Sequence, residues 1–519
     1  MPQRVNLDAM IPRADLAEID VETSLENFGN FPINNLEEYS SIRRVLRKPD
    51  FQRETNHWTP EQVLSFILSF LDNELIPSLI LWKSESFIFV IDGAHRLSAL
   101  RAWMEDDYGD GSISSSFYKS AISSEQQRIA RRVRNLVESK VGRFSQLKAI
   151  HDNNSPTDDI PKKRRAQRLF TRSIHLQWVQ GTAEVAETSF FKINSQGTPL
   201  DDTEKFLLEK RRKPFSIAAR AIVRAGSGHK YWSNFSNETQ ALVEDAALGL
   251  FKLLFAPEEK QPIKTLDLPL GGSSSPVDAL SLIIELLLIT DDHTQKISDA
   301  SRYSDDADGA ETLRMLKKCT KVLSAITSNA SGSLGLHPVV YFYNDRGKHS
   351  RFMFLGIVKL FTRKLFENDK HFFRRFTSVR RAVEDIIIDN KSLIGIILQN
   401  TSKGMRNDRV ENLMRFFIRK AESGENISIE EAVAAVGGKG RIIDITAAQA
   451  PTEFSQETKS AAYIKSAIQN ALRCPICKGL LDPTKSVSYD HGIPLREGGR
   501  GDLENCVLVH PYCNTAVKQ

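Results

Sequence analysis

The sequence predicts an α+β protein of several domains, in which strands and helices mix near the amino terminus and helices dominate the middle. Three observations predict this class. An alternation of short apolar runs, polar turns and a helical pattern extends from residue 76 to residue 103. Long stretches with the apolar period of a helix follow between residues 241 and 398. Four of the five cysteines lie after residue 473, in a spacing typical of a metal-stapled domain.

The chain has 519 residues, enough for about two to four domains with hydrophobic cores of their own. We expect a first domain at 1–213, a helical middle region at 214–436, a linker at 437–458 and a terminal domain at 459–519. The linker is predicted from Gly437-Gly438-Lys439-Gly440 and the weakly patterned residues after it. Four stretches of the middle region have a helical apolar period: 241–255, 277–290, 311–327 and 379–398. Glycine- and serine-rich punctuation separates them at 271–276, 301–309 and 331–335.

Composition excludes several classes of protein. The hydrophobic content of 41% and charged content of 26% are those of an ordinary soluble protein, and the net charge of +5 permits a polyanionic partner without requiring one. The amino terminus lacks the apolar core of a secretory signal, and the most apolar run, 279–290, is too short to span a bilayer. The cysteines form no disulfide framework. We therefore expect a cytoplasmic protein with no membrane partner.

Two pairs of metal-binding residues lie near the carboxyl end. Cys474 and Cys477 form one pair with two residues between them, and His510 and Cys513 form a second pair with the same spacing. A set of three cysteines and one histidine is typical of a closed, tetrahedral, structural zinc site, which leaves no coordination position for a substrate. Cys506 lies off this spacing, and we expect it to be a buried apolar residue.

A second set of polar residues lies between and after the zinc ligands: Asp490, His491, Asn505 and Asn514. In this order, with the zinc pairs around them, they resemble the zinc-stapled HNH endonuclease module, which has a ββα-metal fold. The resemblance implies that His491 is the general base, that Asn505 orients it, and that Asp490 and Asn514 bind Mg²⁺ or Mn²⁺. It also implies a DNA substrate, most simply double-stranded. His510 departs from the family, which usually has cysteine there, but imidazole is an ordinary zinc ligand.

These residue types suit phosphodiester hydrolysis. A neutral imidazole accepts a proton from water near neutral pH, and hard oxygen ligands bind a cation that offsets charge on the phosphate. The alternative is a zinc ribbon that only binds DNA or protein, with Asp490-His491 as a surface dipeptide. The order of the polar residues favours the nuclease.

A further candidate site follows the second predicted strand, at Asp92-Gly93-Ala94-His95-Arg96. A strand, a glycine turn and a helix start are the parts of a phosphate-binding turn, to which Arg96 adds a charged fork. The same pentapeptide is equally compatible with a simple turn in which Asp92 caps the helix and Arg96 lies on a solvated face.

The residues around this turn extend the pattern. Phe51-Gln52-Arg53, Trp58 and Ile91 to Leu100 together resemble the amino-terminal domain of GmrSD-type restriction enzymes. The resemblance implies a ParB/sulfiredoxin-like fold that binds and hydrolyses a nucleoside triphosphate and thereby licenses an attached HNH nuclease against foreign, modified DNA. It places the nucleotide site at Gln52, Arg53, Asp92, Gly93, His95 and Arg96. Ala94 stands where the family signature has glutamine, which puts the hydrolysis in doubt more than the fold.

A third segment, Phe190 to Leu200, is similar to a loop of the same family in which an asparagine precedes Gly-Thr-Pro-Leu. The resemblance implies that Asn194 reaches the nucleotide pocket. The residues themselves are equally compatible with an ordinary turn.

Two basic stretches are candidates for contact with nucleic acid. The first comprises the charged helix at 124–140 and the basic run from Lys162 to Arg165, and it is either a groove for DNA backbone or a solvated face. The second alternates arginines with phenylalanines between 361 and 381, and we expect its aromatic residues on the core side of helices.

The sequence thus predicts a DNA endonuclease in which an HNH domain is regulated by a nucleotide-binding domain. Two alternatives stay open: a non-catalytic DNA-binding regulator of a DNA-modification system, and an HNH nuclease that needs no nucleotide. The sequence also leaves open whether the chain forms an oligomer.

Overall fold

The computed structural model describes residues 3–14, 16, 27–50, 52, 54–119, 122–153, 157–196, 202–273, 276–292, 302–437 and 453–517. The chain divides into two compact units. Unit 1 contains Met1–Arg211 and Ser227–Tyr231, and unit 2 contains Arg212–Gly226 and Trp232–Gln519. The predicted boundary at 213 lies next to the end of the first segment of unit 1. The boundaries predicted at 436 and 458 lie inside unit 2, and residues 438–452 of the predicted linker lie outside the described residues.

In the described part of unit 1, six strands form one mixed sheet in the order β1-β3-β5-β4-β6-β2. The strands are β1 (Arg13–Ala14), β2 (Asn30–Pro32), β3 (Leu46–Pro49), β4 (Leu79–Lys83), β5 (Ile88–Asp92) and β6 (Ser173–Val179). β4 and β5 are antiparallel, whereas β3 with β5 and β4 with β6 are parallel. The two strands expected between residues 76 and 91 are therefore present as β4 and β5.

The described residues of unit 1 also form nine α-helices. They are α1 (Ser41–Val45), α2 (Pro60–Leu71), α3 (Ala94–Glu105), α4 (Ser112–Tyr118), α5 (Ser124–Lys140), α6 (Phe144–His151), α7 (Ile160–Arg168), α8 (Ala183–Gln196) and α9 (Asp202–Glu209). α2 begins as its sequence predicts: the Thr59 side chain accepts the Gln62 N–H, the Gln62 side chain accepts the Thr59 N–H, and Pro60 occupies the first turn. Its apolar face, with Val63, Ile67 and Phe70, is fully buried.

Unit 2 is built mainly of helices. They are α10 (Pro214–Val223), α11 (Asn237–Phe255), α12 (Pro276–Asp291), α13 (Ala310–Ile326), α14 (Pro338–Tyr341), α15 (Arg351–Phe366), α16 (Lys370–Ser378), α17 (Arg380–Asp389), α18 (Lys391–Gln399), α19 (Arg406–Ser423), α20 (Ile429–Ala435) and α21 (Gln456–Gln469). The stretches predicted at 241–255, 277–290 and 311–327 are confirmed as α11, α12 and α13. The fourth is divided into α17 and α18 at Asn390, whose side-chain amide donates to the Ile386 carbonyl at 2.8 Å and so competes with the helical ladder.

The carboxyl end of unit 2 forms an antiparallel hairpin of β7 (Ser488–His491) and β8 (Cys506–Val509). The mixed α+β, helix-rich class predicted from the sequence is confirmed. The expectation for the aromatic residues between 361 and 381 is confirmed for Phe361, Phe373 and Phe376, which are buried, but it is wrong for Phe366, which is exposed. No helix in the described part of the chain is both long and apolar enough to cross a bilayer.

Candidate metal centre and active site

The four predicted zinc ligands meet at one point. The donor atoms of Cys474, Cys477, His510 and Cys513 all lie within 4.8 Å of one another, and all four residues are buried. The Cys477 Sγ lies 3.3 Å from the His510 Nδ1, close to the separation of about 3.5 Å that two ligands of a tetrahedral zinc ion have. The donor set and its spacing therefore fit a structural zinc ion.

The contacts of His510 decide which nitrogen would bind the metal. Its Nε2 lies 2.9 Å from the carbonyl oxygen of Leu480 and donates to it, so its Nδ1 carries the lone pair that points toward Cys477. Burial lowers the pKa of His510 and keeps the ring neutral, as a metal ligand must be. The Cys477 and Cys513 thiols lower the pKa of Cys474 by hydrogen bonding to it, which is the environment of a ready thiolate.

Cys506 corrects one expectation. It is exposed, although the sequence predicted a buried apolar residue. It is the first residue of β8 and pairs with His491 at the loop end of the hairpin, where its side chain is exposed. It takes no part in the zinc cluster.

The hairpin carries the Asp490-His491 dipeptide at the end of β7. Asp490 pairs with Val507 and His491 with Cys506, and both side chains are half-buried. The Asp490 Oδ1 accepts the backbone N–H of His491 at 2.8 Å, which fixes the carboxylate close to the strand end. Both residues therefore lie at the end of a short, regular strand, whose partner β8 leads directly into His510 of the four-donor cluster.

Asn514 reaches the same strand from the other side of the cluster. It follows Cys513 directly, in the short helical turn Cys513–Val517. Its Nδ2 donates to the Ser488 Oγ at 2.8 Å, which leaves the Oδ1 as its candidate metal ligand. Ser488 and Asp490 share one face of β7 because side chains alternate along a strand. The structure therefore brings Asn514 to the strand face that carries Asp490, whereas His491 follows at the end of the strand.

Asn505 contacts the loop that follows His491. Its Oδ1 accepts the Ile493 N–H at 2.6 Å, and its Nδ2 donates to the carbonyl oxygens of Ile493 at 3.1 Å and Arg500 at 2.8 Å. Its own carbonyl accepts the Gly492 N–H at 2.8 Å. These bonds hold the backbone immediately after the expected general base.

The second predicted site lies where β5 meets α3 in unit 1. Gly93 separates them with a φ of +99°, in the left-handed region, and a Cβ there would overlap the side chain of Leu79. Arg96 donates through Nη2 to the Asp92 Oδ2 at 2.6 Å and to the Ser78 carbonyl at 3.1 Å. The Asp92–Arg96 ion pair spans one turn. The N-cap of α3 is Gly93 with no side-chain cap, and the Arg96 side chain is 14% exposed, so the interpretation in which Asp92 caps the helix and Arg96 lies on a solvated face is wrong.

Gln52 lies beside this turn. Its Nε2 is 3.4 Å from the Ile91 carbonyl oxygen, and its Oε1 is buried with no hydrogen-bond partner among the described residues. A buried acceptor without a partner costs free energy, which a donor on a ligand would recover. Arg53 lies outside the described residues.

His95 makes aromatic contacts that the sequence did not predict. Its ring lies 5.6 Å from that of Trp58 and 6.0 Å from that of His57, measured between centroids. Trp58 was noted only as part of the family pattern. Asp92, Gly93, His95 and Arg96 thus lie at the β5–α3 junction, and Gln52 lies in a segment that contacts it.

Asn194 corrects the expectation of a loop. It lies in the last part of α8, which packs against β5 and β6, and its side chain lies outside the described part of the structure. The apolar residues Phe190 and Ile193 pack on the sheet at helical spacing, which favours continuation of the helix through Asn194. Residues 197–200 lie outside the described residues.

Sequence reasoning missed a buried charged cluster of Asp8, Arg13 and Lys48. The Asp8 Oδ1 accepts from Arg13 at 2.6 Å, from the Lys48 Nζ at 2.8 Å and from the Thr55 N–H at 3.0 Å. Arg13 also donates to the Gln52 carbonyl at 2.5 Å, so the cluster supports the segment that carries Gln52. The available signal was the position of Asp8 and Arg13 within the apolar segment from Leu7 to Ala14.

Comparison with known families places these sites in two domains. Residues 33–208 match the family model of the GmrSD restriction endonuclease, N-terminal domain, and residues 474–519 match the model of the HNH endonuclease family. Both resemblances predicted from the sequence are confirmed, and the two domains support a nuclease of restriction type. No curated protein and no solved structure matches the chain. The ParB/sulfiredoxin-like fold of the first domain therefore stays a prediction.

Proposed function

We propose that this chain, with its GmrSD-type amino-terminal domain and its HNH endonuclease domain, is a metal-dependent DNA endonuclease that restricts foreign DNA under the control of a nucleotide. The observation that supports the proposal is the β7–β8 hairpin. It carries Asp490 and His491, it leads directly into His510 of the four-donor cluster, and it lies within the match to the HNH family.

In the proposed mechanism, His491 accepts a proton from the attacking water, and Asp490 and the Asn514 Oδ1 hold a divalent cation. A Mg²⁺ or Mn²⁺ ion bound there supplies positive charge to the phosphate and to the departing 3′ oxygen. Asn505 fixes the backbone that follows His491 and so keeps the imidazole in place for proton transfer. The zinc cluster holds β7 and Asn514 in register and stays outside the reaction, because four protein ligands fill its coordination sphere.

For unit 1 we propose that the β5–α3 junction binds the phosphates of a nucleoside triphosphate. The N-terminus of α3 follows a glycine turn and has no side-chain cap, and Arg96 adds positive charge. The Gln52 Oε1 offers an acceptor to a hydroxyl or amino group of the nucleotide, not to its phosphates. Asp92 is the candidate for binding a metal or positioning water. Hydrolysis is then the signal that licenses the nuclease, and modified phage DNA is the expected target.

One observation favours a second candidate, an HNH nuclease that needs no nucleotide. Ala94 occupies the first position of α3, where the family signature has glutamine, and its methyl group can neither donate to nor accept from a nucleotide. The Asp92–Arg96 pair would then only stabilise the turn between β5 and α3.

The test of the nuclease assignment is cleavage of supercoiled plasmid with Mg²⁺ or Mn²⁺ by the wild-type chain and by His491→Ala. Loss of a general base lowers such rates by about 10²- to 10⁴-fold. His175→Ala, which removes an exposed imidazole on β6, is the matched control. Full cleavage by His491→Ala, with the control also active, would show that the nuclease assignment is wrong.

The test of nucleotide control is a grid of modified and unmodified phage DNA with each nucleoside triphosphate in turn. We expect one nucleotide to stimulate cleavage. Asp92→Asn and Arg96→Ala should abolish this stimulation. Arg143→Ala, which removes an exposed arginine of the same unit, is the control. Equal cleavage in every cell of the grid favours the nucleotide-independent nuclease, and DNA binding without any cleavage favours the non-catalytic regulator.

A further inference from the structure

The domain that holds the zinc cluster contacts the helical part of unit 2. Two of the contacting elements are the loop at 328–335, between α13 and α14, and the first turn of α17. We call these two elements the seat. The sequence showed the loop only as glycine- and serine-rich punctuation, and it showed α17 as part of a charged stretch.

The central residue of the seat is Arg380. Its side chain is fully buried, and its Nη2 donates to the Gly335 carbonyl at 2.7 Å while its Nη1 donates to the Leu334 carbonyl. Its Nε donates to the Glu384 Oε1 at 2.8 Å, one helical turn away. The guanidinium therefore ties the loop to α17, in a place where an unpaired charge would be strongly destabilising.

Glu384 continues this chain of bonds to a zinc ligand. Its Oε2 accepts the backbone N–H of Leu480 at 2.7 Å, and the Leu480 carbonyl accepts from the His510 Nε2 at 2.9 Å. The hydrogen bond to Leu480 selects the His510 tautomer that can ligate zinc. Glu384 thus acts on the zinc site through one intervening residue.

Gly335 shapes the seat directly under His510. Its φ is +61°, and a Cβ there would lie 2.6 Å from the His510 Cδ2 and 2.8 Å from the Ser486 Oγ. Real Cβ atoms do not approach so closely, so the imidazole rests on a glycine backbone that no other residue could supply without displacement.

The loop also holds the two segments that lead to the candidate catalytic residues. Ser486 donates to the Ser328 carbonyl at 2.7 Å, and the Val487 N–H donates to the Asn329 Oδ1 at 3.0 Å, directly before β7. The Tyr512 N–H donates to the Ser333 carbonyl at 2.9 Å, two residues before Asn514. Each segment is thereby fixed to the same short loop.

We propose that Arg380 and Glu384 are positioning residues of the nuclease, which fix the zinc ligand His510 and the register of β7 from the helical region. The HNH centre is then completed by residues far outside its family match, and it retains zinc only on an intact seat. The catalytic consequence rests on the proposed function, whereas the effect on zinc does not.

The first test measures how fast the zinc-loaded full-length protein releases zinc to a chromogenic chelator. Loss of an outer-shell partner weakens metal binding by about 10- to 100-fold, so Arg380→Met and Glu384→Ala should release zinc faster by that factor. Glu384→Gln, which keeps an acceptor for Leu480, should be intermediate. Arg381→Met is the matched control, because Arg381 pairs with Asp385 at the same spacing on the exposed side of α17. Wild-type release rates in Arg380→Met and Glu384→Ala would overturn the proposal.

The second test needs no substitution and so does not depend on a variant that folds. Hydrogen exchange of the wild-type chain is compared before and after zinc is removed by the chelator. We expect faster exchange at the Leu334 amide of the seat, at the neighbouring Leu336 amide and in α17, and unchanged exchange in α11. Unchanged hydrogen exchange in the seat after zinc removal would overturn the proposed coupling between the seat and the zinc site.

The third readout separates this proposal from the proposed function. If the chain cleaves DNA, Glu384→Gln should lower kcat and leave KM unchanged, because the substrate does not touch Glu384. A higher KM with an unchanged kcat would overturn the positioning role. A wild-type chain that cleaves no DNA defeats the proposed function, while the zinc release rates still decide whether the seat holds the metal.

Discussion

Asn505 holds Ile493 at both of its backbone polar groups. Its Oδ1 accepts the Ile493 N–H at 2.6 Å, and its Nδ2 donates to the Ile493 carbonyl at 3.1 Å. This two-point contact fixes the chain two residues after His491. It explains physically how an asparagine, rather than an acid, could keep a catalytic histidine in place: it satisfies the backbone of the loop instead of changing the charge of the imidazole.

The first prediction concerns Asn505. Asn505→Ala should lower kcat for DNA cleavage by about 100-fold, because small displacements of a reacting group cost about that factor. Asn505→Asp keeps an acceptor for the Ile493 N–H but loses the donor, so its kcat should fall less. Asn470→Ala, which removes an exposed side-chain amide at the end of α21, should cleave normally. Wild-type kcat in Asn505→Ala would contradict the role of this contact.

The second prediction compares two cysteines of the same hairpin region. Cys513→Ser should lose zinc and unfold at a lower temperature, because Cys513 is buried within the four-donor cluster. Cys506→Ser should keep its zinc and its melting temperature, because Cys506 is exposed and outside the cluster. Metal analysis of the purified proteins and thermal unfolding measure both effects. Zinc loss in Cys506→Ser would contradict the assigned ligand set.

Local sequence was sufficient where the deciding contacts are local. The four candidate zinc ligands come in two pairs, each with two residues between its members, so their spacing was enough to predict that they meet. α2 was predictable because its cap, its proline and its apolar face all lie within 13 consecutive residues, from Thr59 to Leu71. The same local reasoning failed for Cys506, since its exposure depends on the strand that pairs with it and not on its neighbours in sequence.

Long-range contacts decided the features that the sequence did not show. Glu384 and Leu480 are 96 residues apart, and Arg380 reaches Gly335 across 45 residues. No periodic pattern marks such a pair, and a charged residue in a basic stretch is ordinarily exposed. Asn194 differs in another way: the apolar face of α8 continues into the segment expected to be a loop, through Phe190 and Ile193, and their packing on the sheet favours helix.

The third prediction concerns the basic run of unit 1. Much of the positive charge around it is already paired: Arg165 contacts Asp72, and Arg134 contacts Asp106 and Asp110. Lys163 and Arg164 are exposed. If they bind DNA backbone, the double variant Lys163→Ala/Arg164→Ala should reduce the slope of log affinity against log salt by about 2, since each phosphate contact contributes about 0.9.

The control for this measurement is Lys264→Ala/Arg346→Ala, which removes the same charge from exposed positions of unit 2. Fluorescence anisotropy with labelled duplex DNA at several salt concentrations gives the slopes. An unchanged slope of log affinity against log salt in the Lys163→Ala/Arg164→Ala variant would show that this stretch is a solvated face that does not bind DNA.

The last prediction concerns acid stability and the buried His337. Its ring is 2% exposed, and its Nδ1 accepts the Val339 N–H at 3.3 Å. Burial lowers its pKa to about 4, although the carboxylates of Asp482 and Glu384 oppose this shift, while Lys485 and Arg380 add to it. The unfolded chain binds the same proton with a pKa near 6.5. Between pH 6.5 and 4 the unfolded state therefore takes up more protons, and the free energy of unfolding falls as the pH falls.

His337→Asn keeps an acceptor for the Val339 N–H but does not titrate. Between pH 7 and pH 5 the wild-type chain should lose about 1–2 kcal/mol more of its unfolding free energy than this variant. Zinc loss in acid affects both proteins, so the difference between them isolates His337. Denaturant unfolding at pH 7, 6 and 5 measures it, with the exposed His371→Asn expected to follow the wild type. Parallel pH profiles for wild type and His337→Asn would mean that His337 is protonated equally in both states, because only an unequal uptake of protons makes stability depend on pH.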